Sequence, residues 1–177
     1  MLKLLVAILI SIMALATAPV HSEPSQARKQ AMEILLSAYT KLQQGDPMAI
    51  VGIEKALEID PDFAYANIVR AEYAMGSEDW DNARVYFING LEHLHEQDQP
   101  LSPTPSIKIT AREVEGDSRV FLGYTYIKLA QRVNAQGERQ LEQEYLSASE
   151  KNIKKALTLD PGPEAKAMAE HLLRMFP

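Results

Sequence analysis

The sequence predicts an all-α fold, an α-solenoid of about three stacked helix pairs whose third hairpin is extended and whose end is closed by a C-terminal capping helix. Three observations predict it. The stretch KALEIDP at 55–61 returns as KALTLDP at 155–161. Each reads as the last turns of an amphipathic helix stopped by Asp-Pro, because proline restricts the residue before it and cannot continue the hydrogen-bond ladder. Apolar residues recur three and four apart through most of the intervening chain. Strand-like alternation lasts no more than a few residues anywhere, with Ile107-Lys108-Ile109 as its main trace.

At the start, Lys3 precedes a nearly unbroken apolar run from Leu4 to Ala18, about 15 residues. That is short of the roughly 20 that cross a bilayer as a helix, and it suits the core of a signal peptide. Val20-His21-Ser22 supplies the expected cleavage site, before Glu23, because cutting after Ala16-Thr17-Ala18 would leave Pro19 next to the cut. The expectation is a signal peptide over 1–22 and a single helical domain over 23–177, periplasmic or secreted, with no stable membrane span after cleavage. An uncleaved N-terminal anchor is the alternative. A formal charge of −6 with no basic run argues against nucleic acid and anionic membrane as partners. The chain has no cysteine, so the domain must rely on its apolar core and cannot be a lipoprotein.

The elements follow in order. Over 26–44, Ala27, Ala31, Ile34, Leu35, Ala38 and Leu42 form a helical stripe. Gly45-Asp46-Pro47 breaks it, with Asp46 as N-cap and Pro47 at the first position of a second helix over 47–58. A second pair is expected over 62–76, with Ala64, Ile68, Ala71 and Met75 inward, and over 79–97, with Ala83, Phe87 and Leu91 inward. Pro100, Pro103 and Pro105 make 96–106 an extended connection. Ser106 is expected to cap a short helix over 107–115, and Gly116-Asp117-Ser118 to restart the chain with Asp117 or Ser118 as cap. Pro163 opens the capping helix over 163–175, with Ala165, Met168, Ala169, Leu172 and Met175 inward and Glu164, Lys166, Glu170 and Arg174 towards water.

Small residues spaced twelve and then seven apart can be laid along these pairs: Ser37, Ala49 and Ala56, then Ala71, Ala83 and Gly90, with Trp80 and Phe87 at aromatic packing positions between them. Leu122-Gly123-Tyr124-Thr125-Tyr126, Ser149, Ala156 and Pro161 supply a third set. In this pattern the chain resembles the tetratricopeptide repeat (TPR) family, as an exported bacterial-type member, with repeats at about 30–61, 62–97 and 116–161. It departs from the family at Ala74, where an aromatic is usual, and in about 14 extra residues between Tyr126 and Ser149. Seven on each helix, about two turns, would keep both apolar faces in register. Leu129, Ala130 and Val133 would then face Leu141, Tyr145 and Ala148, with the turn near Gly137-Glu138.

Candidates for chemistry are few. Glu92 and His95 are the one pair at metal-helix spacing in Glu92-His93-Leu94-His95-Glu96, and the rest of a zinc tetrahedron is missing. No nucleophile motif or phosphate-cradling glycine loop is present. The expectation is therefore no enzyme activity, no catalytic residues, no metal and no cofactor. The resemblance implies instead a protein-binding scaffold whose first helices line a groove. Candidate partner-binding residues are Tyr65, Ile68, Glu72 and Met75 in the second repeat, and Val120, Tyr124 and Ile127 in the third. Ile34, Ala38 and Lys41 are the corresponding choice in the first. The implied partner is another envelope or secreted protein; a self-assembling, homo-oligomeric envelope component is the alternative.

Overall fold

Capping chemistry sets where several helices begin. The computed structural model describes residues 24–95 and 110–176, which form seven α-helices and no strand among the described residues. The Ser25 hydroxyl accepts the Arg28 N–H ahead of α1 (Gln26–Gln43). Asp46 accepts the Met48 N–H at 2.8 Å, just before α2 (Ala49–Ile59). Asp79 accepts the Asn82 N–H ahead of α4 (Trp80–His93), and Thr110 the Glu113 N–H ahead of α5 (Ala111–Ala135). The remaining helices are α3 (Ala64–Gly76), α6 (Arg139–Leu157) and α7 (Pro163–Leu173), the last with proline in its first turn.

Helices pack as consecutive pairs, α1 with α2, α3 with α4 and α5 with α6, and α7 lies against both α5 and α6. All three hairpin turns use one device. Gly45, Glu78 and Gly137 have φ of 72°, 58° and 82°. The next N–H in each case bonds a carbonyl five residues back: Asp46 to Lys41, Asp79 to Ala74 and Glu138 to Val133. This is the left-handed closure that satisfies the last carbonyls of a helix.

Small residues sit where paired helices come closest. A Cβ on Gly123 would lie 2.5 Å from Ile153 Cγ1, and the Ser149 hydroxyl donates to the Gly123 carbonyl at 2.8 Å. In the first pair the small residue is Ala38, not Ser37: Ser37 is exposed, and a Cβ on Gly52 would lie 2.7 Å from Ala38 Cβ. The inward face of α1 is thus turned by one residue, about 100°. Ala27 is also exposed, because α1 has 18 residues against the 11 of α2 and its first turn runs past its partner.

The third hairpin is long on both arms. α5 continues twelve residues beyond Gly123 where α3 continues five beyond Ala71; α6 begins ten before Ser149 where α4 begins three before Ala83. The excess is seven residues on each arm, about 10 Å of helix. Tyr126 and Tyr145 stack across it with centroids 5.9 Å apart.

Two expectations change at the other end of α5. Gly116-Asp117-Ser118 does not restart the chain, because α5 runs through it without a break. Gly116 is a contact glycine: a Cβ there would come within 3.0 Å of Pro161. Asp117 caps a different helix, accepting the Gly162 N–H at the start of α7 at 2.8 Å. The Pro-rich connection, Ile107–Ile109 and the signal region 1–22 lie outside the described residues. α3 begins two residues later than expected, because Phe63 is extended and buried. α4 ends at His93, short of 97.

The two Asp-Pro termini diverge in backbone. Asp60 is extended-like, with φ −141°, and its carboxylate pairs with Arg28. Asp160 is left-handed, with φ 57°, after α6 has already ended at Leu157. Arg112 donates to the freed Thr158 and Leu159 carbonyls at 2.9 and 3.2 Å.

The core runs from end to end in three linked clusters. Leu35, Ile53 and Phe63 anchor the first; Ile68, Phe87 and Leu122 the second; Val120, Ile153 and Leu172 the third. Leu94 and Val114 pack against both the first and the second. Ala165, Ala169 and Leu172 are buried and Met168 is half-buried, but Met175 is 57% exposed, because α7 ends at Leu173. Among the described residues no helix is long and apolar enough to cross a membrane.

Candidate functional site

The first helices of the three pairs form a row, with α3 touching α1 on one side and α5 on the other. The sequence-derived residues divide along it by burial. Tyr65 and Ile68 on α3, and Val120 and Ile127 on α5, are at most 5% exposed and belong to the core. A side chain covered on all sides offers a partner no area, so these four support the face rather than line it. Ala38 is core for the same reason, whereas Ile34 is half-buried and Lys41 exposed. Glu72, Met75 and Tyr124 are half-buried and keep part of their surface open.

Glu72 and Met75 are three apart on α3, and Asp117 and Tyr124 seven apart on α5, so each pair lies on one helix face. Where the faces meet, burial pushes the Glu72 carboxyl up to about 7, and the negative charge of Asp117 adds to the effect. Asp117 is raised too, first by burial and also by Glu113, while the Gly162 N–H works in the opposite direction. A second polar feature lies further along α5. Trp80 meets Tyr124 edge-on at 5.9 Å, and the Lys128 ammonium sits over both rings, 5.8 and 5.3 Å from their centroids. One turn on, Arg132 makes two hydrogen bonds to Asp81 at 2.7 and 2.9 Å, and holds the Asp81 carboxyl below its ordinary range. These contacts tie the base of the long hairpin to the start of α4.

Asp117, Trp80 and Lys128 were not expected on this face. Asp117 was read as a cap and Trp80 as an aromatic packing position of the second repeat; the i,i+7 spacing from Asp117 to Tyr124 was the available signal. Of the histidine cluster, His93 is engaged with the Asn89 carbonyl at 2.9 Å and with Asp62 at 3.6 Å. Among the described residues, no three His, Cys, Asp or Glu side chains are grouped to hold a metal ion.

No protein-family model and no curated protein matches the sequence. Among solved structures, the chain is similar to the N-terminal domain of stress-induced protein-1 (STI-1) from C. elegans. The TM-score is 0.56 at 15% identity, over 84% of this chain and 98% of that one. The fold is TPR-like. At this identity the likeness speaks to architecture, and residue roles must come from the side chains themselves.

Proposed function

We propose that this chain is a non-enzymatic adaptor of the bacterial cell envelope that binds a segment of another envelope or secreted protein along the face of α1, α3 and α5. The observation that carries the reading is that Glu72 and Met75 on α3, and Tyr124 on α5, stay part-open on the first helices of a helical-repeat scaffold. Helix-pair arrays use the surface of such a row to hold peptides. Part-open aromatic, methionine and carboxylate side chains on adjacent helices are groups that recognise side chains. The apolar run that ends before Pro19 supports export, and intact-mass measurement of the exported protein is expected to find Glu23 at its N-terminus. Detection of Met1 on a membrane-bound form would replace export by anchoring.

Binding is tested with a partner captured from envelope extract. Tyr124→Ala is expected to weaken affinity by about 2 kcal/mol, the loss typical of an aromatic anchor. Melting temperature is measured on the same preparation, because Tyr124 also packs against Trp80. Full affinity in a folded Tyr124→Ala protein would remove this face from consideration. The protruding third hairpin favours self-assembly as a second reading, and mass in solution separates the two.

A further inference from the structure

Among the described residues, Arg84 Nε is the one buried side-chain nitrogen or oxygen without a hydrogen-bond partner. Arg84 follows Trp80 by four residues and precedes Phe87 by three, so all three share one face of α4. That face packs on α5, where Trp80 meets Tyr124 and Phe87 meets Phe121, with ring centroids 5.9 and 6.4 Å apart. Arg84 is therefore bracketed by two ring contacts, half-buried, with its Nε cut off from water. Its two terminal nitrogens carry no hydrogen bond and are not enclosed, so the tip of the guanidinium reaches solvent.

The carboxylate recorded beside it is already committed. Asp81 feels the Arg84 charge, but both of its oxygens accept from Arg132, at 2.7 and 2.9 Å. Glu72 on α3 does not substitute: burial and the charge of Asp117 act on its carboxyl, and no cation does. A second uncommitted cation stands on the α5 wall. The Lys128 ammonium lies over the Trp80 and Tyr124 rings and has no carboxylate or hydrogen-bond acceptor among the described residues. Arg84, Lys128 and Arg132 thus gather around the first turns of α4 against the single carboxylate of Asp81, in a chain whose net charge is −6. A guanidinium whose Nε lacks an acceptor is poorly solvated, and an anion at its open end offsets that cost.

We propose that the segment held at the Tyr124 end of this face carries an acidic side chain, aspartate or glutamate, which enters the α4–α5 seam and pairs with Arg84 and Lys128. The proposal rests on the adaptor reading above and names the partner's chemistry. The Trp80 and Tyr124 rings hold Lys128 in position and offer apolar surface to the residues on either side of the acid. α5 continues seven residues beyond Lys128, to Ala135. A bound segment therefore has helix to lie on past the site, and the acid is an internal side chain rather than a C-terminal carboxylate.

The test titrates end-capped peptides of about twelve residues, alternating alanine with glutamate, glutamine or lysine, into the purified protein. The glutamine peptide is also made with a free C-terminus. Binding is read by the anisotropy of a dye on the peptide and, independently, by the emission of Trp80, the sole tryptophan. The capped glutamate peptide is expected to bind about tenfold more tightly than the capped glutamine peptide and to change Trp80 emission. Arg84→Met keeps the stem and removes the unpaired nitrogens, so it should lose about that tenfold while melting no lower than the parent. Lys166→Gln, a loss of the same charge on the exposed side of α7, should keep full affinity. A lower melting temperature with affinity intact in Arg84→Met would make Arg84 a packing residue and overturn the proposal. Equal losses in the two variants would overturn it as diffuse attraction, as would failure of the glutamate peptide to bind at about millimolar concentration. If the free C-terminus lets the glutamine peptide bind as tightly as the capped glutamate peptide, the side-chain assignment falls. If the capped glutamine or the lysine peptide binds as tightly with the same change at Trp80, the anion assignment falls and the face remains a binding surface. Binding that leaves Trp80 emission unchanged would remove the face as well.

Discussion

At the scale of single residues, Asn67 shows how a polar group earns a place in an apolar core. It is 1% exposed, donates to the Pro61 and Phe63 carbonyls at 2.8 and 3.1 Å, and accepts from Asn89 at 2.9 Å. These bonds fix the chain between α2 and α3, and the Phe63 carbonyl also accepts the Asn67 backbone N–H at 3.1 Å. Asn67→Ala should destabilise by about 1–3 kcal/mol in urea denaturation, since it leaves the Pro61 carbonyl and the Asn89 amide with only their long mutual bond at 3.4 Å. A variant as stable as the parent would mean that water replaces the side chain at no cost. Glu72 gives a prediction of opposite character. Its carboxyl is raised to about 7 in the folded state, above its ordinary value of 4.5, so folding favours the protonated form. The stability it contributes is fully present below about 4.5 and is lost as pH rises through about 7. Glu72→Gln should therefore leave stability near pH 4 almost unchanged and raise it near pH 8, by on the order of 1–3 kcal/mol. Parallel pH–stability curves for the two proteins would contradict the raised pKa of this carboxyl.

At the scale of elements, the shared hairpin turn makes a comparison possible within one molecule. Glu78 occupies the left-handed position that Gly45 and Gly137 occupy in the other two turns. A side chain in that region is strained by roughly 1–2 kcal/mol, part of which is offset because glycine gains freedom in the unfolded chain. Glu78→Gly is thus expected to stabilise by about 0.5–1 kcal/mol, and Gly137→Ala to destabilise by a similar amount; thermal melts decide both signs. The same elements show what a sequence discloses. The seven-plus-seven extension of α5 and α6 was legible because two whole turns preserve the phase of both apolar faces. Gly116 was misread because a glycine inside a helical pattern marks either a break or a close approach, and only Pro161 lying against it decides which. Ser37 was preferred to Ala38 because both are small and the fixed spacing favoured the former. Burial of Tyr65, Ile68, Val120 and Ile127 was hidden for a different reason: periodicity reports which side of a helix is apolar, not how many neighbours cover that side. Asn67 left no signal, since its partners, two backbone carbonyls and the Asn89 amide, are brought together only by the fold.

At the scale of the whole molecule, the arrangement implies stability that is passed from neighbour to neighbour. The first cluster, around Leu35 and Phe63, and the third, around Ile153 and Leu172, share no residue, and the second lies between them. In such an array each unit leans on the next, and the terminal helix covers a face that would otherwise be wet. Leu172 is 5% exposed and packs with Val120, Ile127, Ile153 and Ala169. Leu172→Ala should cost about 2–5 kcal/mol, depending on how far the site collapses around the missing atoms. The distribution of that loss is the sharper test. Native-state hydrogen exchange should accelerate most in α6 and α7, less in α5, and least in α1 and α2, whose packing does not include the third cluster. A single cooperative core would instead speed the slowest amides of every helix by the same factor. That outcome would mean the contact between α3 and α5 transmits strain over the full length of the array.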